Sequence, residues 1–237
     1  LWQRVRAGRR LLGAQRQDRG GGAQAGAGGG GERPGGARRP RAARALRRLR
    51  LVPADGGARH CETLGLLPHY VIGDFDSLTP AELSNLSAQG VQLIRFAVRK
   101  DFTDLELALR HALTLGCSQI LIYGALGSRW DQTLANLLLM SSPHFKDISI
   151  RLVDGEQEIT LLRPQRIEKL AGKPGDTLSL IPLAGDAQGI TTQGLEYLLQ
   201  KETLYFGSTR GVSNVLTNPE VYISFDHGLL VCTLIHH

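Results

Sequence analysis

The sequence predicts an α/β protein: an N-terminal three-layer α/β domain with a mostly parallel sheet, followed by a C-terminal β-sandwich domain. Two observations support this prediction. In residues 51–147, short apolar runs of strand length alternate with helical patterns, which is typical of βαβ units. In residues 148–237 the helical period disappears, and short strand-like runs are separated by Gly, Pro, Asp and Asn, as in a β-sandwich. We therefore place a domain boundary near residue 147.

The first half of the α/β domain is predicted to contain a strand, a helix and a second strand. Residues 70–72 are a short apolar run that ends at Gly73. A little further on, Thr79 caps a helix, and Glu82 has the spacing that completes a capping box. Residues 91–95 are predicted to form the next strand.

The second half repeats this order. Thr103 and Glu106 have the spacing of another capping box, so a helix begins there, and Gly116 ends it. Residues 120–123 are continuously apolar, as expected for a strand that is buried on both faces of a parallel sheet. Residues 131–140 form the next predicted helix. Because ligands bind at the carboxyl ends of strands in such sheets, we expect a functional site in the loops that follow them.

The C-terminal domain is predicted to consist of short strands. Asp154-Gly155 joins residues 149–153 to residues 158–162, which is a strong hairpin signal. Further strand-like runs lie at residues 177–181, 190–192, 203–206, 221–225 and 229–235. The polar loop of residues 207–214 ends in Ser213 and Asn214. An Asn amide matches the donor and acceptor edge of a heteroaromatic ring, so this loop is either a substrate site or an ordinary turn without a ligand.

Residues 1–50 differ from the rest of the chain in composition. They hold 14 of the 28 Lys and Arg residues, 2 of the 22 Asp and Glu residues and 12 of the 29 glycines. With few branched apolar side chains to bury, this segment is expected to be a disordered Arg/Gly-rich extension. Two interpretations are open: an arm that binds RNA, or an artefactual extension such as a GC-rich stretch read in the wrong frame. We favour the second, because Trp2 is the only aromatic residue among these arginines.

The composition excludes several classes of function. No run of about 18 apolar residues is present to span a membrane. Residues 51–237 carry 14 basic and 20 acidic residues, so we expect no nucleic acid partner for the folded part. Cys61, Cys117 and Cys232 lie far apart among apolar neighbours, which indicates buried reduced thiols and a cytoplasmic protein. The chain has no GxxxxGK[ST] loop, which argues against ordinary P-loop chemistry.

Three acidic clusters follow successive strands of the predicted α/β domain. In the first, Asp74 and Asp76 alternate across Phe75, so in an extended strand both carboxylates point the same way while the ring enters the core. Two close carboxylates need a cation, and Mg²⁺ takes one or two carboxylates together with phosphate oxygens. The alternative is that both aspartates only cap the following helix.

The second cluster adds groups that suit a phosphate. Asp101 and Asp104 are three residues apart at a helix start, where one carboxylate caps the helix and the other reaches a metal. Lys100 beside them supplies a point charge that suits phosphate. A solvated helix terminus is the plainer interpretation of this cluster alone.

The third cluster contains Arg129, Asp131 and Gln132 after a loop in which Gly127 lets backbone amides approach an anion. Asp55 and Gly56 are a fourth contributor at the same sheet edge, with a plain turn as the alternative. Each cluster alone has such an alternative, but three in successive strand-to-helix units favour a Mg-nucleotide site.

These motifs resemble the thiamine pyrophosphokinase family, whose members make thiamine diphosphate from thiamine and ATP. The resemblance runs from about residue 54 to the C-terminus, in the order and approximate spacing of the family. It rests on Asp55-Gly56-Gly57-Ala58, Gly73-Asp74-Phe75-Asp76-Ser77, Lys100-Asp101-x-Thr103-Asp104, Gly127-x-Arg129-x-Asp131-Gln132 and Gly211-x-Ser213-Asn214.

The resemblance implies a role for each of these residues. The catalytic set is Asp74, Asp76, Lys100 and Asp104, of which Asp74, Asp76 and Asp104 hold Mg²⁺ on the ATP phosphates. The nucleotide-binding set is Asp55, Gly56, Gly127, Arg129, Asp131 and Gln132, and the thiamine-binding set is Ser213 and Asn214. It also implies a homodimer whose two protomers complete each thiamine site, and attack of the thiamine hydroxyl on the β-phosphorus of ATP.

The sequence departs from the family before Asp55. Residues 1–50 offer no apolar first strand, and Pro53 interrupts the run that precedes Asp55, so the sheet is expected to lack a neighbour there. Two other functions are weighed. One is a phosphatase of the haloacid dehalogenase type, whose Asp-x-Asp strand Asp74 and Asp76 imitate, although Leu78 stands where that class needs Thr or Val. The other is an RNA-associated protein that uses the Arg/Gly arm, with the acidic clusters as caps only.

Overall fold

The structure, a computed structural model, describes residues 2–6, 49–99, 101–127 and 129–237. Its α/β part contains α1 (Gly57–Thr63), α2 (Pro80–Ala88), α3 (Asp104–Thr114) and α4 (Trp130–Leu139), with a 3₁₀ turn at Pro143–Phe145. The strands of this part are β1 (Trp2–Arg6), β2 (Leu49–Leu51), β3 (Tyr70–Gly73), β4 (Gln92–Arg95), β5 (Gln119–Tyr123) and β6 (Ser149–Asp154).

The C-terminal part is built from strands. They are β7 (Gln157–Leu162), β8 (Glu168–Ala171), β9 (Thr177–Gln193), β10 (Glu202–Leu204), β11 (Asn214–Val215), β12 (Glu220–Ser224) and β13 (His227–Ile235). The predicted hairpin is confirmed, because β6 and β7 pair antiparallel around the turn at Gly155, with Asp154 opposite Gln157. No helix in the described part of the chain is long and apolar enough to cross a membrane.

One sheet continues through both parts, in the order β2-β1-β5-β6-β7-β13-β9-β12-β8. β3 and β4 pair in parallel, as do β5 and β6, but β1 runs antiparallel to both of its neighbours. The prediction of a mostly parallel sheet is therefore not confirmed, whereas a mixed α/β architecture is. The long strand β9 pairs with β13 over its first part and with β12 at its end, so the sheet curls around one core. The predicted layering of a three-layer domain and a sandwich is not confirmed.

Strand directions place the ends of several strands at one edge of the sheet. β2 and β5 both run antiparallel to β1, so they run in the same direction as each other. A parallel bridge joins Ala54, just after β2, to Ile72 in β3. The segments that end at Asp55, at Gly73 and at Tyr123 therefore all point the same way, and their carboxyl ends carry the predicted site residues.

The expectation that the whole of residues 1–50 is disordered is wrong for residues 2–6, which form β1, and for residues 49–50, which lie in β2. Trp2 lies opposite Tyr123 and Arg6 opposite Gln119. An unpaired edge of β5 would leave backbone donors and acceptors unsatisfied, and a short strand satisfies them. Residues 7–48, the bulk of the predicted extension, lie outside the described residues.

The α/β core lies between β5, β6 and α3. Ile120 and Ile122 are fully buried against Leu105 and Leu109. Burial alternates along β5, and Leu121 is only half-buried, so the prediction that this strand is buried on both faces is wrong for one face. A continuous apolar run does not by itself show whether a second layer covers the strand.

The predicted helix starts are largely confirmed. At α2, the Thr79 hydroxyl accepts the N–H of Glu82 and the Glu82 carboxylate accepts the N–H of Thr79, so the capping box is complete. The Arg59 guanidinium and the Thr79 N–H lower the pKa of Glu82 to about 2. At α3, Thr103 caps the helix, but the Glu106 carboxylate pairs with Arg110 at 2.8 Å.

Candidate active site

Three carboxylates meet at the carboxyl edge of the sheet. Asp55, Asp74 and Asp104 each offer an oxygen that lies within 4.8 Å of the oxygens offered by the other two. They come from three segments of the chain: the exit of β2, the exit of β3 and the first turn of α3. Like charges at this separation repel, so the arrangement suits a divalent cation.

Asp55 is held rigidly in this group. Its N–H donates to the carbonyl of Ile72 at 2.7 Å, and its residue is 8% exposed. Its φ of 40° is in the left-handed region, a strained conformation for a residue with a side chain. Among the described residues, Asp55 Oδ1 is buried without a hydrogen-bond partner. A buried carboxylate oxygen that lacks a donor is the strongest sign that these residues fit a metal ion.

Gly73 leaves the space that this group needs. A Cβ atom on Gly73 would lie 2.9 Å from Asp55 Cβ and 3.4 Å from Asp104 Oδ1. Any larger residue at the end of β3 would therefore displace Asp55 from its position in this group.

Asp76 lies outside the group, contrary to the pairing expected from an extended strand. Phe75 has a φ of 67°, so the chain turns sharply between the two aspartates. The Asp76 N–H donates to Asp74 Oδ1 at 3.3 Å, while Asp76 Oδ1 accepts the Ser77 hydroxyl at 3.1 Å. The expectation for the ring is confirmed, because Phe75 is buried and Arg95 stacks on it at 5.0 Å.

The loop after β5 carries the predicted phosphate-binding residues. Arg129 donates to Asp131 through Nη2 at 2.5 Å and through Nε at 3.2 Å, and both side chains are exposed. The Arg129 guanidinium holds the pKa of the Asp131 carboxyl below its usual range. Gln132 is exposed in the first turn of α4. Lys100, the other predicted cation, lies outside the described residues.

Two residues of α4 that the sequence prediction missed fix this loop. The Thr133 hydroxyl accepts the N–H of Gly127 at 3.2 Å, and Asn136 Nδ2 donates to the carbonyl of Ala125 at 2.8 Å. The Gly127 N–H is therefore engaged within the protein, not directed at an anion as expected. The signal in the sequence was a single Asn among the apolar residues of this helix. In the structure Asn136 is buried, at 6% exposed.

The predicted thiamine residues lie on β11 and the loop before it. Ser213 has a φ of 61°, and its N–H donates to the hydroxyl of Ser179 at 3.1 Å. Asn214 accepts the N–H of Tyr197 at 3.0 Å and donates to its carbonyl at 2.7 Å. The amide edge that was expected to read a heteroaromatic ring thus holds the backbone of Tyr197, whose own ring is exposed.

The sequence matches two models of a known protein family. Residues 47–152 match the family model "Thiamin pyrophosphokinase, catalytic domain", and residues 161–230 match "Thiamin pyrophosphokinase, vitamin B1 binding domain". The chain belongs to the thiamine pyrophosphokinase family.

Curated relatives agree with this family. A thiamine pyrophosphokinase of Bacillus subtilis is 32% identical over 180 residues, which cover 76% of this chain and 84% of the relative. A thiamine pyrophosphokinase 1 of Arabidopsis thaliana is 30% identical over 173 residues, covering 69% of this chain and 64% of the relative.

Solved structures agree as well. The crystal structure of the Bacillus subtilis thiamine pyrophosphokinase has a TM-score of 0.71 at 30% identity, covering 78% of this chain and 87% of that one. A family protein from Enterococcus faecalis has a TM-score of 0.71 at 29% identity, covering 78% and 88%. These matches give no support to the haloacid dehalogenase phosphatase or to the RNA-associated protein.

Proposed function

We propose that this chain transfers the diphosphate group of ATP to the hydroxyl of thiamine, giving thiamine diphosphate and AMP. The observation that carries the proposal is the group formed by Asp55, Asp74 and Asp104, in a chain of this family. The oxygen of the thiamine hydroxyl forms a bond to the β-phosphorus of ATP as the bond from that phosphorus to the α,β-bridging oxygen breaks. The hydroxyl proton leaves to a base and AMP departs.

The three carboxylates would hold Mg²⁺ on the ATP phosphates. Bound there, the ion would neutralise the negative charge of the transferred diphosphate and fix its position, and phosphoryl-type transfer depends mainly on such positioning and electrostatic stabilisation. The proposed ligand set therefore includes Asp55, which the sequence had placed only nearby. Asp76, which the sequence-based set had included, lies beside this set, and its N–H donates a hydrogen bond to Asp74 Oδ1.

The proposal also gives a role to each of the remaining predicted residues. Lys100 and Arg129 neutralise the phosphates, and Asp131 orients the Arg129 guanidinium through two hydrogen bonds. Gly56, Gly127 and Gln132 border the nucleotide. One of the aspartates accepts the proton of the thiamine hydroxyl in this proposal.

For thiamine, we propose the surface that Ser213 and Asn214 organise. Tyr197, whose backbone Asn214 holds, has an exposed ring. Tyr205 and Phe206 of the same C-terminal part are exposed as well. Exposed aromatic side chains are typical of ligand and protein interfaces. They support a homodimer in which the partner covers the surface around Tyr197, and light scattering on the purified chain tests that state.

The location proposed for the protein is the cytoplasm. Cys61, Cys117 and Cys232 are all buried free thiols, which suits a reducing compartment. Burial raises the pKa of Cys61 to about 11 and that of Cys232 to about 12, so these thiols stay protonated and unreactive at neutral pH.

An incubation of the purified chain with ATP, Mg²⁺ and thiamine tests the activity. We expect equal amounts of thiamine diphosphate and AMP, and neither product in a parallel sample with EDTA. Release of inorganic phosphate without thiamine would instead indicate a phosphatase. A folded sample that yields no product would refute the proposal.

A further inference from the structure

The loop between β5 and α4 is held from the helix that follows it, and not by a conventional helix cap. Arg129 occupies the N-cap position of α4 and makes no side-chain cap hydrogen bond. Instead, the Gly127 N–H donates to the Thr133 hydroxyl, and Asn136 Nδ2 donates to the Ala125 carbonyl. Thr133 and Asn136 are three residues apart, so they lie on the same face of α4.

Placing a buried Asn in α4 costs stability, and a need to fix the loop geometry would account for that cost. A buried Asn gives up its hydration and is a weaker helix former than Leu, which would fill an apolar position at lower cost. Ala125 is 5% exposed, so its carbonyl depends on the Asn136 donor. Both bonds engage backbone atoms of the loop on either side of Leu126, and the loop ends at Arg129.

The position of the loop connects these bonds to the carboxylates. β5 and β2 run in the same direction with β1 between them, so the loop after β5 and the turn at Asp55 open on the same edge of the sheet. Neighbouring strands are spaced by about 4.8 Å, so the two spacings from β2 to β1 and from β1 to β5 put the two segments about 10 Å apart. That separation is within the reach of a triphosphate and an arginine side chain.

We propose that Thr133 and Asn136 are positioning residues for diphosphate transfer, which hold residues 125–127 of the loop before α4 in their binding geometry so that Arg129 reaches the ATP phosphates. The inference rests on the proposed function, in which Arg129 contacts those phosphates. A loop fixed by the protein itself loses its conformational entropy on folding, so that this entropy is not lost again when ATP binds.

The substitution Thr133→Val tests this inference. Val keeps the branched shape of Thr but removes the hydroxyl, so the Gly127 N–H loses its acceptor. The same hydroxyl also donates to the Gly127 carbonyl at 3.4 Å, so this second and longer contact is lost as well. We expect the KM for ATP to rise between about two- and ten-fold. The KM for thiamine is expected to stay within about two-fold, since the change lies at the nucleotide loop. Thr133→Ser, which restores the hydroxyl, is expected to restore the KM for ATP.

Thr114→Val is the matched control. Thr114 lies in the last turn of α3, and its hydroxyl donates to the carbonyl of His111 at 2.7 Å. This variant loses the same group at a place that does not touch the loop, so its KM for ATP should equal that of the wild type. Asn136→Ala removes the donor to Ala125 and should also raise the KM for ATP, but it carries a larger cost in stability, so the Thr133 series decides the matter.

The outcomes separate this inference from the function on which it rests. A wild-type chain that forms no thiamine diphosphate refutes the proposed function and the inference together. An active wild type whose Thr133→Val variant melts at a lower temperature but keeps the wild-type KM for ATP refutes the inference alone, because Thr133 would then be merely structural. A selective rise in the KM for ATP that Ser reverses supports it.

Discussion

The group of three carboxylates predicts an unusual response to the substitution Asp55→Asn. Two unit charges 4.8 Å apart repel by about 0.9 kcal/mol in a water-like dielectric and by about 3.5 kcal/mol at an effective dielectric constant of about 20. Asp55 faces two such charges, on Asp74 and Asp104. Because those two side chains are half-buried and partly solvated, we expect the lower end of this range. Without metal, Asp55→Asn should raise the free energy of unfolding by about 2 kcal/mol.

With metal the order should reverse. A cation that binds only the folded protein stabilises it by about 2.7 kcal/mol at 100 times its dissociation constant. The wild type should gain this stability when Mg²⁺ replaces EDTA, whereas Asp55→Asn should lose most of the gain with the ligand. Urea denaturation followed by circular dichroism, in EDTA and in Mg²⁺, measures both effects.

Asp76→Asn is the matched control, since Asp76 lies in the same turn but outside the group. It should respond to EDTA and Mg²⁺ as the wild type does. If Asp76→Asn abolishes the Mg²⁺ effect and Asp55→Asn retains it, the geometric assignment is wrong. The metal set expected from the sequence, with Asp76 in place of Asp55, would then be the correct one.

Three further substitutions have definite expected outcomes. Gly73→Ala places a Cβ 2.9 Å from Asp55 Cβ, and we expect the resulting displacement to lower the free energy of unfolding by about 1 to 3 kcal/mol. It should also lower kcat by up to about a hundred-fold. Urea denaturation and the product assay measure these two effects, and wild-type values in both would contradict the steric argument. Thr79→Ala removes the cap of α2 and should cost about 1 kcal/mol in urea denaturation, with kcat unchanged. Asp176 is 1% exposed; burial acts to raise its pKa, but hydrogen bonds from Lys173 N–H, His236 and the N–H of residue 237 outweigh it and lower the pKa. Because the folded-state pKa of Asp176 is lowered, its contribution to stability is present above about pH 4 and is lost as the pH falls further. In urea denaturation, the free energies of unfolding of the wild type and Asp176→Asn should therefore converge in acid and differ at neutral pH.

Local signals in the sequence predicted much of the fold. The capping residues Thr79 and Thr103 begin α2 and α3, because cap hydrogen bonds involve residues only three apart in the chain. The turn at Asp154 and Gly155 predicted its hairpin for the same reason. Strand direction could not be obtained in this way. β1 pairs with strands more than 40 residues away, and nothing in its five residues specifies an antiparallel register.

The sequence predicted which segments meet at this edge of the sheet, because carboxyl ends of strands that run in the same direction lie together there. The carboxylates that the structure groups, Asp55, Asp74 and Asp104, differ from the predicted metal set, and the metal-binding role of both sets stays a prediction. The choice between Asp55 and Asp76 depended on two residues with positive φ, Asp55 itself and Phe75. The alternation argument assumed an extended backbone at Phe75, and a left-handed residue there turns the two neighbouring aspartates in different directions.

The position of β13 has a consequence for how the chain folds during synthesis. This strand lies between β7 and β9, and all of its residues come after theirs in the chain. Until residue 235 has left the ribosome, β7 and β9 expose the two edges that β13 will join. The α/β part can bring its three carboxylates together earlier, since residues 49–123 supply them. The C-terminal part still has unpaired strand edges at that stage, and these edges are exposed to chaperones or to another nascent chain.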